Sequence, residues 1–560
     1  MSAHSFPPVN KDQRGFYSES VYQEALSRYP TVADLVTSKA KENGQRVWLE
    51  FQDGRTFSYN DVDDIGNSLA TGLYQSGVRL DDHVALFAPN SPMWIFSYFG
   101  ILKLGAVPVT VNIGFVKDPL VYNLTASKSE YLIVDYRLLD RFKAVEDFLP
   151  ALKHIFIIGK DNFDSANAPK KTYTFIDDIL SVEPNASHRA TRKISDPSAM
   201  ILTSGTTGPS KVVYDTNAQF ISTALFLIDA GGVTSESVYY SYLPLFHIMA
   251  LDMAMLLSML ANAKIVLVEK FDPAVFWQHV KKYGVTHFAA VGPILEMLVK
   301  MTPSPLEKDH GPITALAYAS KEIWALASER FNINITGGYG STEVGIPISA
   351  PNHIVGGKAN PPGACGMAGP HVEVGIMSEH GEMLPAGRTG EIVVRPKLPW
   401  AIFMEYYGMP EATANAFRGL WFHTGDAGYF DEQGYLFFVD RLKDAIRRKG
   451  ENISSYEVEQ ILLKYPDIAQ VAVVPAKSEF GDEEVMAVVV PNADKRVSLE
   501  SIVSYAKENM PHFWVPRYIR FMDALPATAT GRIEKFKLRE QGITRDTYDR
   551  KAVSSPEGRL

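Results

Sequence analysis

The sequence predicts an α/β protein built as a large N-terminal unit followed by a small α+β unit. Three observations carry this expectation. The 560-residue chain exceeds one ordinary domain. From Pro30 to about Lys397, helix-period and strand-period apolar patterns alternate, the rhythm of helices layered on sheets. After Asp440 the rhythm changes, and a compact succession of helix, strands and helix follows.

The elements can be justified in order. Val62, Ile65, Leu69 and Leu73 recur at helical spacing, and Ser58 with Asp61 three residues on forms a candidate capping box before them. The apolar run 84–87 reads as a strand, and Pro89-Asn90-Ser91-Pro92 as a turn. A helix over 94–104 then leads into a strand over 107–111. Strands recur at 132–134 and 155–158, and the polar stretch 162–171 reads as a loop. The most apolar stretch, 251–268, carries Asp252, Asn262 and Lys264. It therefore reads as a buried helix and a strand over 264–268, not as a membrane span. In the tail, 454–457 resembles a capping box opening a helix through Val458, Ile461 and Leu462. Strands over 471–474 and 485–490 and a helix over 499–510 follow. The charged run Asp440-Arg441-Leu442-Lys443-Asp444 marks the expected boundary, dividing the chain into 1–440 and 441–560.

Composition narrows the class. Hydrophobic residues at 46% and charged residues at 21% are globular values. A net charge of -9 argues against nucleic acid as the main partner. The single cysteine, Cys365, excludes an intramolecular disulfide and suits a reducing compartment. With no activating neighbour in view, it reads as a packed residue rather than a nucleophile. Residues 1–17 are polar and contain proline, without an apolar signal segment. The end Gly558-Arg559-Leu560 only loosely echoes the peroxisomal Ser-Lys-Leu address, so a cytoplasmic location is the expectation.

Chemistry concentrates in five segments. A strand over 199–202 runs into Thr203-Ser204-Gly205-Thr206-Thr207-Gly208-Pro209-Ser210-Lys211. Glycines let backbone amides approach an anion, hydroxyls donate hydrogen bonds and the lysine supplies charge. The spacing is not that of the G-x-x-x-x-G-K-[ST] loop. The second segment is Gly338-Tyr339-Gly340-Ser341-Thr342-Glu343, and the third is Trp421-Phe422-His423-Thr424-Gly425-Asp426. The fourth runs from Asp440 through Lys449-Gly450-Glu451-Asn452-Ile453-Ser454. The fifth is Pro526-Ala527-Thr528-Ala529-Thr530-Gly531-Arg532-Ile533-Glu534-Lys535-Phe536-Lys537-Leu538-Arg539.

Together, and in this order, these segments resemble the motifs of the adenylate-forming superfamily: acyl-CoA synthetases, nonribosomal-peptide adenylation domains and firefly-type luciferases. The resemblance runs from about Pro30 to Arg539. It implies that the hydroxyl loop 203–208 and Lys211 hold the phosphates of ATP. It also implies that Tyr339 stacks on adenine beside Gly340, that Thr342 contacts the α-phosphate and that Glu343 holds Mg²⁺. By the same resemblance Asp426 and Arg441 take the ribose, and Lys443 is the hinge about which the small unit turns. Gly450 then lines a thiol tunnel for coenzyme A, and His247 gates an acyl pocket beside 338–345. A core histidine with a satisfied hydrogen bond is the equal alternative for His247. The wording from Ile446 to Ser455 looks most like carnitine/crotonobetaine-type and related small-acid CoA ligases.

The chain departs from the pattern in places. Where relatives carry the lysine that bridges carboxylate and α-phosphate, this chain has Arg532, a planar fork instead of a compact ammonium. Arg532 acts directly, or Lys535 or Lys537 takes its place. Val212 replaces a common glycine, and Asn217 a frequent histidine. The adenine loop is blurred, with Tyr318-Ala319-Ser320 nearest to it. Trp324, Tyr318 and Phe288 could offer aromatic surface, though such residues are more often core.

The expected activity is ATP-dependent ligation of a small carboxylic acid to coenzyme A through an acyl-adenylate. The rivals are delivery to a carrier-protein thiol or another acceptor, with no carrier domain fused here, and a non-catalytic nucleotide- or acyl-binding relative.

Overall fold

The structure is a computed structural model that describes residues 11–185, 188–203, 210–290, 293–317, 321–351, 361–441, 445–448, 451–477, 483–492, 495, 497–526, 533 and 535–551. Two mainly parallel sheets form the body of the large N-terminal domain. The first runs, in spatial order, Glu405–Tyr406, Lys211–Thr216, Pro197–Thr203, Val107–Thr110, His83–Phe87, Tyr131–Asp135, His154–Ile158 and Tyr173–Phe175. Its interior strands pair in parallel, as alternating strands and helices demand. The edge that carries Lys211 is antiparallel on both sides.

The second sheet runs Asn334–Thr336, Thr314–Ala317, His287–Ala290, Val238–Ser241, Lys264–Leu267, Val47–Phe51 and Thr56–Ser58. Helices Tyr59–Gln75, Pro92–Leu104 and Asn217–Gly231 lie in the core that includes Trp48, Trp94 and Phe220. An antiparallel sheet of Val372–Met377, Gly390–Pro396, Trp421–Phe430 and Phe417–Arg418, with Leu436–Arg441 on the long strand, completes the large domain beside the hairpin Gly338–Ser341 and Gly345–Ser349.

Several sequence expectations hold in detail. Ser58 caps its helix with both arms of a capping box, its hydroxyl accepting from Asp61 N while Asp61 accepts from Ser58 N. The predicted helix before 107 is Pro92–Leu104, with proline in the first turn and Gly105 at φ 81 ending it, a conformation that favours glycine. The apolar stretch 251–268 is a buried helix and a strand, Lys264–Leu267. Its first turns, Leu251–Leu256, wind as a π-helix, which periodicity did not predict. No helix among the described residues is long and apolar enough to cross a membrane. Phe288 is a core residue, 1% exposed, and Trp324 is buried beside it.

The small C-terminal domain has a sheet of Ile468–Lys477, Glu483–Pro491, Tyr518–Phe521 and Thr547–Asp549, covered by Ser455–Leu462 and Leu499–Asn509. The helix expected from 454–457 forms as Ser455–Leu462, and Glu457 in its first turn also accepts from Ser210 of the large domain. The hairpin Ala445–Arg448 and Glu451–Ser454 is anchored by Arg448, 4% exposed, whose Nε lies 2.5 Å from Glu484 while Nη1 donates to Phe513 O. Arg517 and Asp549 extend this buried ionic cluster, which satisfies charges that isolation in the core would penalise.

Cys365 is 4% exposed, and burial pushes its thiol up to about 11. The native protein is therefore expected to leave a thiol reagent such as dithionitrobenzoate unreacted at pH 8, and to react at one thiol per chain after denaturation. Fast reaction of the native thiol would contradict this packing.

Candidate active site

The phosphate-loop segment bridges two antiparallel strands whose ends are register partners, Thr203 opposite Lys211. Residues 204–209, which include Ser204, Gly205, Thr206, Thr207 and Gly208, lie outside the described residues. Lys211 opens the returning strand, and its Nζ stands 4.2 Å from the centre of the Tyr406 ring. The Tyr406 hydroxyl donates to Glu343 Oε1 at 2.9 Å. Three chemically distinct groups from distant parts of the chain thus meet in one row: ammonium, phenol and carboxylate.

The Gly338–Ser341 hairpin carries the next group of residues. A Cβ on Gly340 would lie 2.1 Å from the carbonyl oxygen of Gly345, so this position accepts only glycine in the observed turn. Thr342 offers its carbonyl to Gln219 Nε2 at 2.9 Å, and Glu343 offers its carbonyl to Phe403 N at 2.8 Å. Both backbone contacts hold the Thr342-Glu343 corner against the Lys211 side of the site. Tyr339 is buried, and its hydroxyl donates to Asp426 Oδ2 at 2.8 Å. Its ring also faces Phe438, at 6.4 Å between centroids.

Asp426 and Arg441 are register partners in the ladder between Trp421–Phe430 and Leu436–Arg441. The turn before Asp426 is held by Glu391, whose Oε2 lies 2.7 Å from His423 Nδ1 and whose Oε1 accepts from Gly425 N at 3.0 Å. Gly425 sits at φ 74, where a side chain would be strained.

The small domain contributes through the hairpin and helix that follow the boundary. Glu451 Oε2 lies 3.0 Å from His247 Nε2 and accepts from Asn112 Nδ2 at 3.3 Å. Burial works against a charged imidazole, but the adjacent Glu451 carboxylate outweighs it and raises His247 above its ordinary value. Glu457 accepts from the backbone N and the hydroxyl of Ser210, at the end of the phosphate loop. Burial raises this carboxyl despite those two hydrogen bonds. Phe115 against Trp514 and an ion pair between Asp118 and Lys464 support the same contact.

The structure therefore brings Lys211, Glu343 and, across the hairpin, Tyr339 with Asp426 to one face, and joins His247 to the small domain. Lys535 is elsewhere in this orientation, in an ion pair with Glu459 at 2.6 Å and donating to Ser455 at 2.9 Å. Lys443, Gly450 and Arg532 lie outside the described residues, as do Tyr318, Ala319 and Ser320. Sequence reasoning missed the roles of Tyr406, Glu451 and Glu457. The last two stand in segments it singled out, but each of the three acquires its partner from a remote part of the chain. It also missed Asp215, whose fully buried carboxyl is held well above the ordinary range by burial, with the Glu343 charge adding to it.

The AMP-binding enzyme family matches residues 36–415, and the AMP-binding enzyme C-terminal domain matches 457–532. The chain belongs to the AMP-binding enzyme family. A crotonobetaine/carnitine–CoA ligase of Citrobacter koseri is 31% identical over 514 residues, covering 89% of this chain and 97% of that protein. The enzyme of the same name from Shigella dysenteriae is 31% identical over 488 residues, covering 86% and 93%. Among solved structures, a double mutant of the o-succinylbenzoate CoA synthetase of Bacillus subtilis, bound with its product analogue, has a TM-score of 0.78 at 22% identity, covering 91% of this chain and 98% of that one.

The His247–Glu451 pair gives a titration with a defined sign. His247 is raised in the folded protein, so the pair's contribution is complete below the unfolded value near 6.5 and is lost as pH rises through the folded value. In a proton-NMR titration, Glu451→Gln is expected to lower the His247 midpoint. An unchanged midpoint would mean that the two side chains do not meet in solution.

Proposed function

We propose that this AMP-binding enzyme is an ATP-dependent carboxylic acid–CoA ligase working in two half-reactions. In the first, a carboxylate oxygen attacks the α-phosphorus of ATP, and the bond to the leaving pyrophosphate breaks. In the second, the thiol of coenzyme A attacks the acyl carbon, the thioester forms and AMP departs. The observation that carries this reading is the row Lys211–Tyr406–Glu343 at the end of a hydroxyl-rich loop, with the Tyr339–Asp426 pair on the adjoining hairpin. The relatives named CoA ligases favour coenzyme A over a carrier protein as the acceptor.

The roles follow from the chemistry. Lys211 and the 203–208 loop neutralise and hold the phosphates, where preorganised donors act on developing charge. Asp426, with Arg441 its ladder partner, takes the ribose hydroxyls, which a carboxylate accepts well. Tyr339 offers a ring face to adenine beside Gly340, and Thr342 a hydroxyl to the α-phosphate. Arg532 supplies the cation for the attacking carboxylate, with Lys535 or Lys537 as its replacement.

Magnesium suits this donor set. Among the described residues no cluster of three or more histidine, cysteine or acidic side chains could hold a metal by itself. Mg²⁺ prefers one or two carboxylates together with substrate phosphates and water, so the lone Glu343 beside the phosphate loop fits an ion that arrives with ATP. When bound, that ion would neutralise phosphate charge.

The small domain divides the two steps. With the boundary at 440/441 and the hinge at Lys443, rotation exchanges the Arg532 segment for the 445–454 hairpin that carries Gly450. In the orientation described, Glu451 contacts His247 and Glu457 sits on Ser210, adding negative charge at the end of the phosphate loop. That charge opposes a bound triphosphate, so this orientation suits the thiol half-reaction, after pyrophosphate has left.

By the same reading the acyl tail lies beside His247. The net charge of -9 supports small-molecule partners rather than nucleic acid, and a cytoplasmic enzyme fits this reading.

Pyrophosphate release across aliphatic, aryl and betaine-like acids, with and without coenzyme A, tests the reading. Turnover requiring both one acid and coenzyme A is the expected result. Silence across the panel with ATP still bound would overturn it in favour of a non-catalytic relative. For an active acid, Lys211→Ala is expected to lower kcat/KM for ATP by about 100-fold or more. Asp426→Asn should raise the KM for ATP more than it lowers kcat.

A further inference from the structure

We propose that Tyr406 is a positioning residue for the adenylation step: its hydroxyl orients the Glu343 carboxylate while its ring face holds the Lys211 ammonium. The inference rests on the ligase reading above, and adds to it a residue outside the phosphate-loop and Glu343 segments. The Tyr406 side chain is 4% exposed, and a phenol buried to that extent needs a partner for its hydroxyl. It donates that hydroxyl to one oxygen of Glu343 at 2.9 Å. A carboxylate pinned through one oxygen turns the other in a fixed direction, which is what a group that must meet an ion arriving with ATP requires.

The other face of the argument is Lys211. Its ammonium stands 4.2 Å from the ring centre, well inside the range of a cation–π contact. A flexible four-carbon side chain is thereby held in one place before phosphate arrives, and less ordering remains to be done on binding. A phenol keeps its proton throughout the neutral range, so Tyr406 remains a donor at working pH.

The backbone is fixed to match. Glu405–Tyr406 pairs antiparallel with the Lys211 strand, Tyr406 opposite Val213, and the Tyr406 N–H donates to Thr413 Oγ1 at 3.0 Å. Phe403, at 5.0 Å between centroids, and Phe422 pack the same cluster. A tyrosine present only for packing would need none of the hydroxyl geometry, and phenylalanine would replace it without consequence.

The test uses the full-length enzyme and two variants, Tyr406→Phe and Tyr406→Leu, with thermal unfolding as the check on folding. Calorimetric binding of ATP is measured with and without Mg²⁺, and pyrophosphate release is followed on an active acid. For Tyr406→Phe the Mg²⁺-dependent gain in ATP affinity is expected to fall about tenfold, while KM for the acid and for coenzyme A stays put. Tyr406→Leu should show the same loss and, in addition, weaker ATP binding without Mg²⁺, since Lys211 loses its platform. A phenylalanine variant with the wild-type Mg²⁺ gain overturns the inference and leaves the ligase reading standing, even where the leucine variant fails to fold. A wild-type enzyme whose ATP affinity ignores Mg²⁺ and which releases no pyrophosphate overturns both.

Discussion

The site depends on one antiparallel edge of an otherwise parallel sheet. Pro197–Thr203 leaves the sheet interior and Lys211–Thr216 returns beside it, so the connecting loop is tethered at both ends by a ladder. The returning strand then accepts Glu405–Tyr406 as its outer neighbour. A parallel connection would have required a long crossover, and would have carried the two ends of the loop apart. The hairpin geometry instead keeps Thr203 and Lys211 opposite one another and presents the second edge to a segment from far along the chain.

That edge explains why the ionic groups are stable where they stand. Lys211, Glu343 and the phenol of Tyr406 form a chain in which the carboxylate has a donor and the ammonium has an aromatic face. Asp215 lies four residues further along the same strand, on the same face as Lys211, but fully buried. Burial raises its carboxyl well above the ordinary range, and the Glu343 charge adds to the shift. The row thus passes from an ammonium at the mouth of the strand to a carboxyl sealed in the core.

Much of this was legible in the sequence, for a definable reason. The phosphate loop, the Gly338–Glu343 turn and the Trp421–Asp426 strand each place their chemistry within a few consecutive residues, so composition and order suffice to recognise them. The resemblance assigns Asp426 and Arg441 to one ribose from two separate motifs, and the ladder that makes them register partners was not legible in either. Buried Cys365 and the Ser58 capping box follow from local rules alone. Tyr406 was not legible, because its function comes from a sheet edge and two partners that no spacing predicts. The π-helical turns at Leu251–Leu256 escaped as well, since an apolar stretch shows burial without showing the winding.

Glu457 shows most clearly where local reasoning stops. Its spacing from Ser454 is that of a capping box, worth about 1 kcal/mol to an isolated helix. In the folded chain the same carboxylate accepts two hydrogen bonds from Ser210 of the large domain, a contact that no local spacing announces. Hydrogen bonds to a charged acceptor contribute about 1.5–3 kcal/mol, so the remote contact is worth at least as much as a local cap. The helix itself is held by Val458, Ile461 and Leu462, buried against the small domain's sheet. Tertiary packing thereby leaves a first-turn residue able to serve a contact between domains. The residue that the sequence marks as the start of a helix becomes the point where the small domain touches the phosphate loop.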